Sequence, residues 1–198
     1  IVSLMWANNE TGVLFPIQKI SALCRQRGIL LHADAVQVPG KLKLDVNELG
    51  VDFLSLSAHK FHGPKGIGLL YVRKGTPFQP LIVGGHQEEG NRGGTENVPY
   101  VIGFGRAAEL ARSISVDAQR KLAALRDSLE NEIFAKIPHT VRNGAKEPRL
   151  PNTTSIAFAG VEAEALLMML DQLNIYASSG SACTTGSVAP SHVLTAMG

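Results

Sequence analysis

The chain has 198 residues, of which 44% are apolar and 18% charged, with a formal net charge of +2. Such a composition is globular and long enough to bury a sizeable core; Lys and Arg are nowhere concentrated as nucleic-acid binding would require, and no apolar run reaches a membrane span. Two cysteines, Cys24 and Cys183, make no disulfide framework, so a reducing cytoplasm is the expected compartment.

In chain order, residues 2–7 read as a buried strand and the NNETG run at 8–12 as the turn leaving it, since adjacent asparagines favour turn geometry. Pro16 can open a helix at its first turn. Ile17, Ile20, Ala22, Leu23 and Cys24 give that helix an apolar stripe ending near Gly28. Cys24 lies on the stripe and is expected to be a small core residue. Residues 29–33 read as a second buried strand leading into Asp34 and Gln37, and residues 42–49 as a short connection with one helical turn. Two further strands, 51–57 and 67–73, flank the stretch SAHKFHGPKG at 57–66. This alternation predicts an α/β fold with a mixed, mostly parallel sheet flanked by helices.

Lys60 sits in that stretch among Ser57, His59, His62 and glycines. A lysine held at a strand end and partly desolvated loses ammonium character and becomes nucleophilic toward an aldehyde. Asp34 falls at the carboxyl end of an apolar strand, where open α/β sheets place their ligands. Pyridoxal phosphate chemistry needs a lysine for a Schiff base and an acid for the pyridine nitrogen. Lys60 and Asp34 supply that pair, and Gln37 can donate to the phenolic oxygen. His32, His59 and His62 lack the defined spacing and closed shell of a zinc site, so no metal is expected.

The polar, glycine-rich run GGHQEEGNRGGTEN at 84–97 is long for a connector. Arg92, the amides of Gly93 and Gly94 and the Thr95 hydroxyl could surround a phosphate. Helices are predicted over 99–113 and 116–136, the second carrying Leu122, Leu125, Leu129 and Ile133 at helical spacing. Residues 138–151 are turn-rich around Asn143 and Gly144; a strand at 154–158 and an amphipathic helix at 162–173 follow. Tyr176 opens the loop SSGSACTTGS at 178–187. Small polar neighbours give Cys183 nothing to pack a core around, so it reads as an exposed thiol whose reactivity follows its thiolate fraction.

ANNETG (7–12), HADAVQ (32–37), SAHKFHGPKG (57–66), RGGTEN (92–97) and SSGSACTTGS (178–187) together resemble the cysteine desulfurases of the nitrogen-fixation and iron–sulfur assembly type, within the class V aminotransferases. The resemblance implies the type I fold of pyridoxal phosphate-dependent transferases. Residues 1–115 would then be part of the large cofactor-binding domain, and 116–198 a linker helix with part of a smaller C-terminal α+β domain carrying the cysteine loop. It implies a fragment, whose absent parts would supply a phosphate-binding turn, a histidine stacked on the cofactor and an arginine for the substrate carboxylate. It also implies that Lys60, Cys183 and His59 are catalytic, and that Asn9, Asp34, Gln37, Ser57, His59, Lys60 and Thr95 bind the cofactor. Asn9 and Arg92 would meet substrate. Cys183 would take sulfur from L-cysteine as a persulfide and pass it to an acceptor or iron–sulfur scaffold protein. Thr95 would reach the neighbouring subunit's cofactor, which implies a homodimer. A selenocysteine lyase, another class V aminotransferase and a non-catalytic assembly partner remain as alternatives.

Overall fold

The computed structural model describes residues 1–144, 147–180 and 191–198. It divides into two compact units, Ile1–Ala7 with Phe15–Gln119 and Asn8–Leu14 with Arg120–Gly198.

The first unit is built on a four-stranded sheet in the order β1 (Val2–Met5), β2 (Leu31–Asp34), β3 (Phe53–Ser57) and β4 (Gly68–Val72). The pairs β1–β2 and β2–β3 are parallel, and β4 returns antiparallel to β3. Helix α1 (Ile17–Gln26) makes the crossover from β1 to β2, and the single turn of α2 (Val46–Leu49) precedes β3. Leu31, Ala33, Val51 and Leu54 are buried, as a parallel sheet covered by helices requires.

Helix α1 follows Pro16 as expected, but its buried face is Ile17, Ser21 and Cys24, while Leu23 is exposed. A spacing of four and then three residues follows one face of the helix, and Ala22 and Leu23 turn away from it. Ser21 is tolerated because its hydroxyl donates to the Gly50 carbonyl at 2.7 Å. Gly50 caps α2 with φ of 69°, and a Cβ there would lie 2.8 Å from Ser21 Oγ and 2.6 Å from an Arg25 nitrogen. Glycine is needed at that junction for both reasons. At the other end of α2, Asp45 accepts the Asn47 amide at 2.9 Å.

After β3 the chain makes a 3-10 turn, Ala58–Phe61, closed by His62 in the left-handed region (φ 67°). Helix α3 (Val98–Ser113) packs on this turn. Phe104 meets Phe61 edge-on at 5.4 Å between centroids, and a Cβ on Gly63 would lie 2.8 Å from that of Ala58 and 3.1 Å from that of Ala107. Small residues therefore let the helix approach the turn that carries Lys60.

In the second unit α4 (Val116–Lys136) continues from the first. β5 (Thr140–Arg142) and β6 (Ile156–Phe158) form an antiparallel pair, followed by α5 (Ala163–Gln172) and α6 (His192–Met197). The turn at Asn143 and Gly144 is present, but β5 before it replaces the expected irregular connection. The leucines of α4 do not form its buried face: Leu122, Leu125 and Leu129 are exposed and the buried residue is Glu130. Glu130 takes a bidentate contact from Arg149 (2.6 and 2.9 Å) and a hydrogen bond from Thr154. Arg142 Nε lies 2.9 Å away without hydrogen-bond alignment and adds its charge. No helix among the described residues is long and apolar enough to cross a membrane.

Candidate active site

Because β2 and β3 are parallel neighbours with Asp34 opposite Ser55, both end on the same edge of the sheet. Asp34 is the last residue of β2, and its Oδ1 accepts the Val36 amide at 2.9 Å, which orients the carboxylate at the strand end. Ser57 is the last residue of β3, and its hydroxyl lies 2.8 Å from His59 Nδ1. Lys60 follows in the 3-10 turn. This is the edge at which an open α/β sheet places its ligands.

Lys60 is exposed, so the partial burial expected from the sequence is not met. The geometry of the turn explains it. Side chains three apart eclipse in a 3-10 turn, and here Ala58 and Phe61 occupy the buried face, which directs His59 and Lys60 outward.

Gln37 is half-buried in the turn-rich segment after β2, and its Oε1 accepts from Lys41 Nζ at 3.4 Å. Burial, and then the charge of Lys60, push the Lys41 ammonium below its ordinary range. That effect of Lys60 puts the two lysines in one neighbourhood. The structure therefore brings Asp34, Gln37, Ser57, His59 and Lys60 to one edge and adds Lys41, a residue the motif reading passes over. Its signal was a lysine four residues after Gln37.

His32 lies on the sheet face it shares with Asp34, two residues on. Its Nδ1 is 2.7 Å from Ser3 Oγ and its Nε2 is 3.2 Å from Ser55 Oγ, so both nitrogens are engaged across the three parallel strands.

The loop at 84–97 departs from the expected anion cradle. The Gly93 amide donates to the Ile82 carbonyl at 2.7 Å and the Gly94 amide to Gln87 Oε1 at 3.3 Å. Arg92 folds back to donate to the Gly93 carbonyl at 2.8 Å. The two amides and one Arg92 nitrogen are thereby engaged with nearby backbone and side-chain oxygens, whereas Thr95 is exposed.

In the second unit, Asn8 Oδ1 accepts from the amides of Glu10 (2.9 Å) and Thr11 (3.0 Å), and from the Thr11 hydroxyl (3.2 Å). That turn holds Asn8 buried and leaves Asn9 exposed. Cys183 lies outside the described residues.

A lysine and an acid at adjoining parallel strand ends, under a covering helix, define an α/β protein with its polar site at the carboxyl edge. A profile of the class-V aminotransferases matches residues 1–198, and the chain belongs to that family. It is 52% identical over 197 residues to a cysteine desulfurase of Klebsiella pneumoniae, covering 100% of this chain and 49% of that protein. It is 53% identical over 198 residues to one of Trichormus azollae, covering 100% and 50%. The crystal structure of a NifS-like protein from Rickettsia africae superposes with a TM-score of 0.87 at 37% identity, covering 99% of this chain and 51% of that one. The chain spans about half the length of the curated relatives it matches. The expected type I α/β fold is borne out by these neighbours and by the mixed sheet.

Proposed function

We propose that the protein carrying this chain is a cysteine desulfurase that uses pyridoxal 5′-phosphate to take sulfur from L-cysteine, leaving L-alanine and a persulfide on Cys183. The observation that carries the reading is the 52% identity to a protein of that name across the whole of this chain. It acts as a cytoplasmic homodimer and hands the sulfur to an acceptor or iron–sulfur scaffold protein.

The residues at the sheet edge fit the cofactor's chemistry. A carboxylate fixed at a strand end, an exposed primary amine, an amide and a hydroxyl–imidazole pair match a pyridine nitrogen, an aldehyde, a phenolic oxygen and a phosphate in turn. When bound, pyridoxal phosphate supplies an electron sink for the substrate's α-carbon. Lys60 would hold the cofactor by its amine and would move protons at the substrate carbons. Asp34 keeps a proton on the ring nitrogen. Gln37 donates to the phenolic oxygen, Ser57 and His59 hold the phosphate, and His59 can assist Lys60. Asn9 and Arg92 meet substrate, and Thr95 serves the neighbouring subunit. The Cys183 thiolate attacks the substrate sulfur: an S–S bond forms as the C–S bond breaks, and the carbon takes up a proton to give alanine.

The test is release of sulfide and alanine from L-cysteine by the full-length polypeptide, with reductant present. Activity that requires pyridoxal phosphate and Cys183 is expected. Cofactor-dependent turnover of cysteine that is indifferent to Cys183→Ser would overturn the desulfurase reading.

A further inference from the structure

We propose that Lys41 is a positioning residue that fixes the orientation of the Gln37 side-chain amide, so that its NH2 end is presented to the cofactor's phenolic oxygen. The inference rests on the pyridoxal phosphate reading above and names a residue that reading does not use.

An amide side chain can present either its donor or its acceptor end, and its neighbours decide which. Lys41 Nζ lies 3.4 Å from Gln37 Oε1. An ammonium has only donors, so the contact it favours with the amide is to the carbonyl oxygen. With Oε1 turned to Lys41, Nε2 is the end left for a ligand. A phenolate oxygen accepts, so this orientation is the productive one; the flipped amide would set oxygen against oxygen. Without Lys41, the choice between orientations has to be made when the ligand binds, and affinity falls by that cost.

Lys41 is itself held in place. Gly40, before it, is left-handed (φ 74°), and a Cβ there would lie 3.0 Å from Ile114 Cδ1 and 3.5 Å from Ala111 Cβ. Its carbonyl accepts from Gln119 Nε2 at 3.3 Å. The Lys41 amide donates to the Val38 carbonyl at 3.0 Å. The lysine stem thus starts from a backbone pinned by the end of α3 and the start of α4, as a supporting residue for a binding group requires. Burial and the nearby Lys60 charge lower the Lys41 pKa, which agrees with a side chain that stays against the site rather than in solvent.

The experiment compares two ligands on the full-length polypeptide: pyridoxal 5′-phosphate and 3-deoxypyridoxal 5′-phosphate, which lacks the phenolic oxygen. Affinities are read by absorbance or fluorescence titration, without turnover. The ratio of the two affinities isolates the phenolic contact, and any effect of Lys41 on Lys60 acts on both ligands and cancels. Gln37→Ala is expected to reduce the ratio about tenfold, the value of one hydrogen bond, and Lys41→Met by a part of that, about twofold, because the amide can still turn its donor to the ligand at the cost of choosing between orientations. The double variant should fall no further than Gln37→Ala alone, and Lys41→Arg, also a donor without an acceptor, should keep the ratio. If Lys41→Met does not fold, Lys41→Gln, which can accept as well as donate, carries the same expected loss. A ratio unchanged in Lys41→Met, or additive losses in the double variant, overturns the inference. Failure of the underlying reading looks different: the unsubstituted protein binds neither compound, and the inference falls with it.

Discussion

Cys24 is buried on α1, whereas the proposed mechanism asks Cys183 to act as a nucleophile, so the two thiols are expected to respond differently to substitution. Cys24 is 7% exposed on the inner face of α1, so Cys24→Ser puts a hydroxyl into the core. The expected result is retained sulfide release with a stability loss of about 1–3 kcal/mol, read by chemical denaturation. Cys183→Ser should still bind the cofactor with its visible absorbance, because Asp34 and Lys60 are untouched. It should lose nearly all sulfide release, since a hydroxyl is a far weaker nucleophile than a thiolate near neutral pH. Lysine identity is testable in the same way. Lys41 and Lys60 share a neighbourhood, and Lys65 lies just beyond, yet only Lys60 is in the turn clamped by α3. Borohydride reduction and peptide mapping should find the pyridoxyl group on Lys60; finding it on Lys41 or Lys65 would remove Lys60 from the centre of the site.

Among the elements, α3 governs the Lys60 turn and α4 anchors the second unit. A Cβ on Gly103 of α3 would lie 2.6 Å from the ring of Pro64, which follows the same turn in the chain. Gly103→Val should therefore cost about 1–3 kcal/mol by overpacking and shift the lysine, so that cofactor affinity falls even in native conditions where the protein stays folded. On α4, burial opposes the charge of Glu130, but hydrogen bonds from Arg149 and Thr154 and the charges of Arg149 and Arg142 outweigh it and hold the carboxyl below its ordinary range. A depressed folded pKa means stability that is present above the unfolded carboxylate value and lost as pH falls through the lower folded value. Glu130→Gln should cost about 3–5 kcal/mol near neutral pH, because the arginines lose their counter-charge, and that difference should shrink as the medium is made acidic enough to protonate Glu130. Denaturation curves of both proteins across that range measure it. These elements also show what the sequence made legible. Strands and helices with an uninterrupted period were readable: α3 and α4 lie where spacing puts them, and Asp34 ends β2 and Lys60 follows the end of the adjoining β3 as expected. The three residues of β5 were not, because a strand that short has no period and is defined by pairing with β6. The buried face of α4 was misread because leucines mark a helix face only when something covers it, whereas Glu130 is buried by arginines distant in sequence.

At the scale of the whole molecule, long-range pairing decides what local pattern cannot. The Asn8–Leu14 segment belongs to the second unit because the Leu150 amide donates to the Gly12 carbonyl at 2.9 Å and the Leu14 amide to the Pro148 carbonyl at 2.8 Å. No periodicity links such distant stretches. The exposed apolar surface carries a message of the same scale. Leu81 is 95% exposed and Val83 77%, immediately before the loop that holds Arg92 and Thr95. Contiguous exposed apolar side chains mark a surface that meets another. In the loop itself Thr95 is exposed, and Arg92 has one nitrogen on the Gly93 carbonyl with its other donors open to a partner. Both observations suit a loop that serves a second copy. Mixing subunits tests this directly. A Lys60→Ala protein lacks the amine, and an Arg92→Ala, Thr95→Ala protein lacks the contribution to its neighbour; each homodimer should be inactive. In a mixed dimer, one site pairs the intact Lys60 of one subunit with the intact Thr95 of the other, while the second site has neither. Activity per mixed dimer should therefore recover to one functional site, with a pyridoxyl adduct trapped on the lysine-bearing subunit alone. No recovery when subunit exchange is demonstrated by mass would mean that Thr95 serves its own chain's site or none.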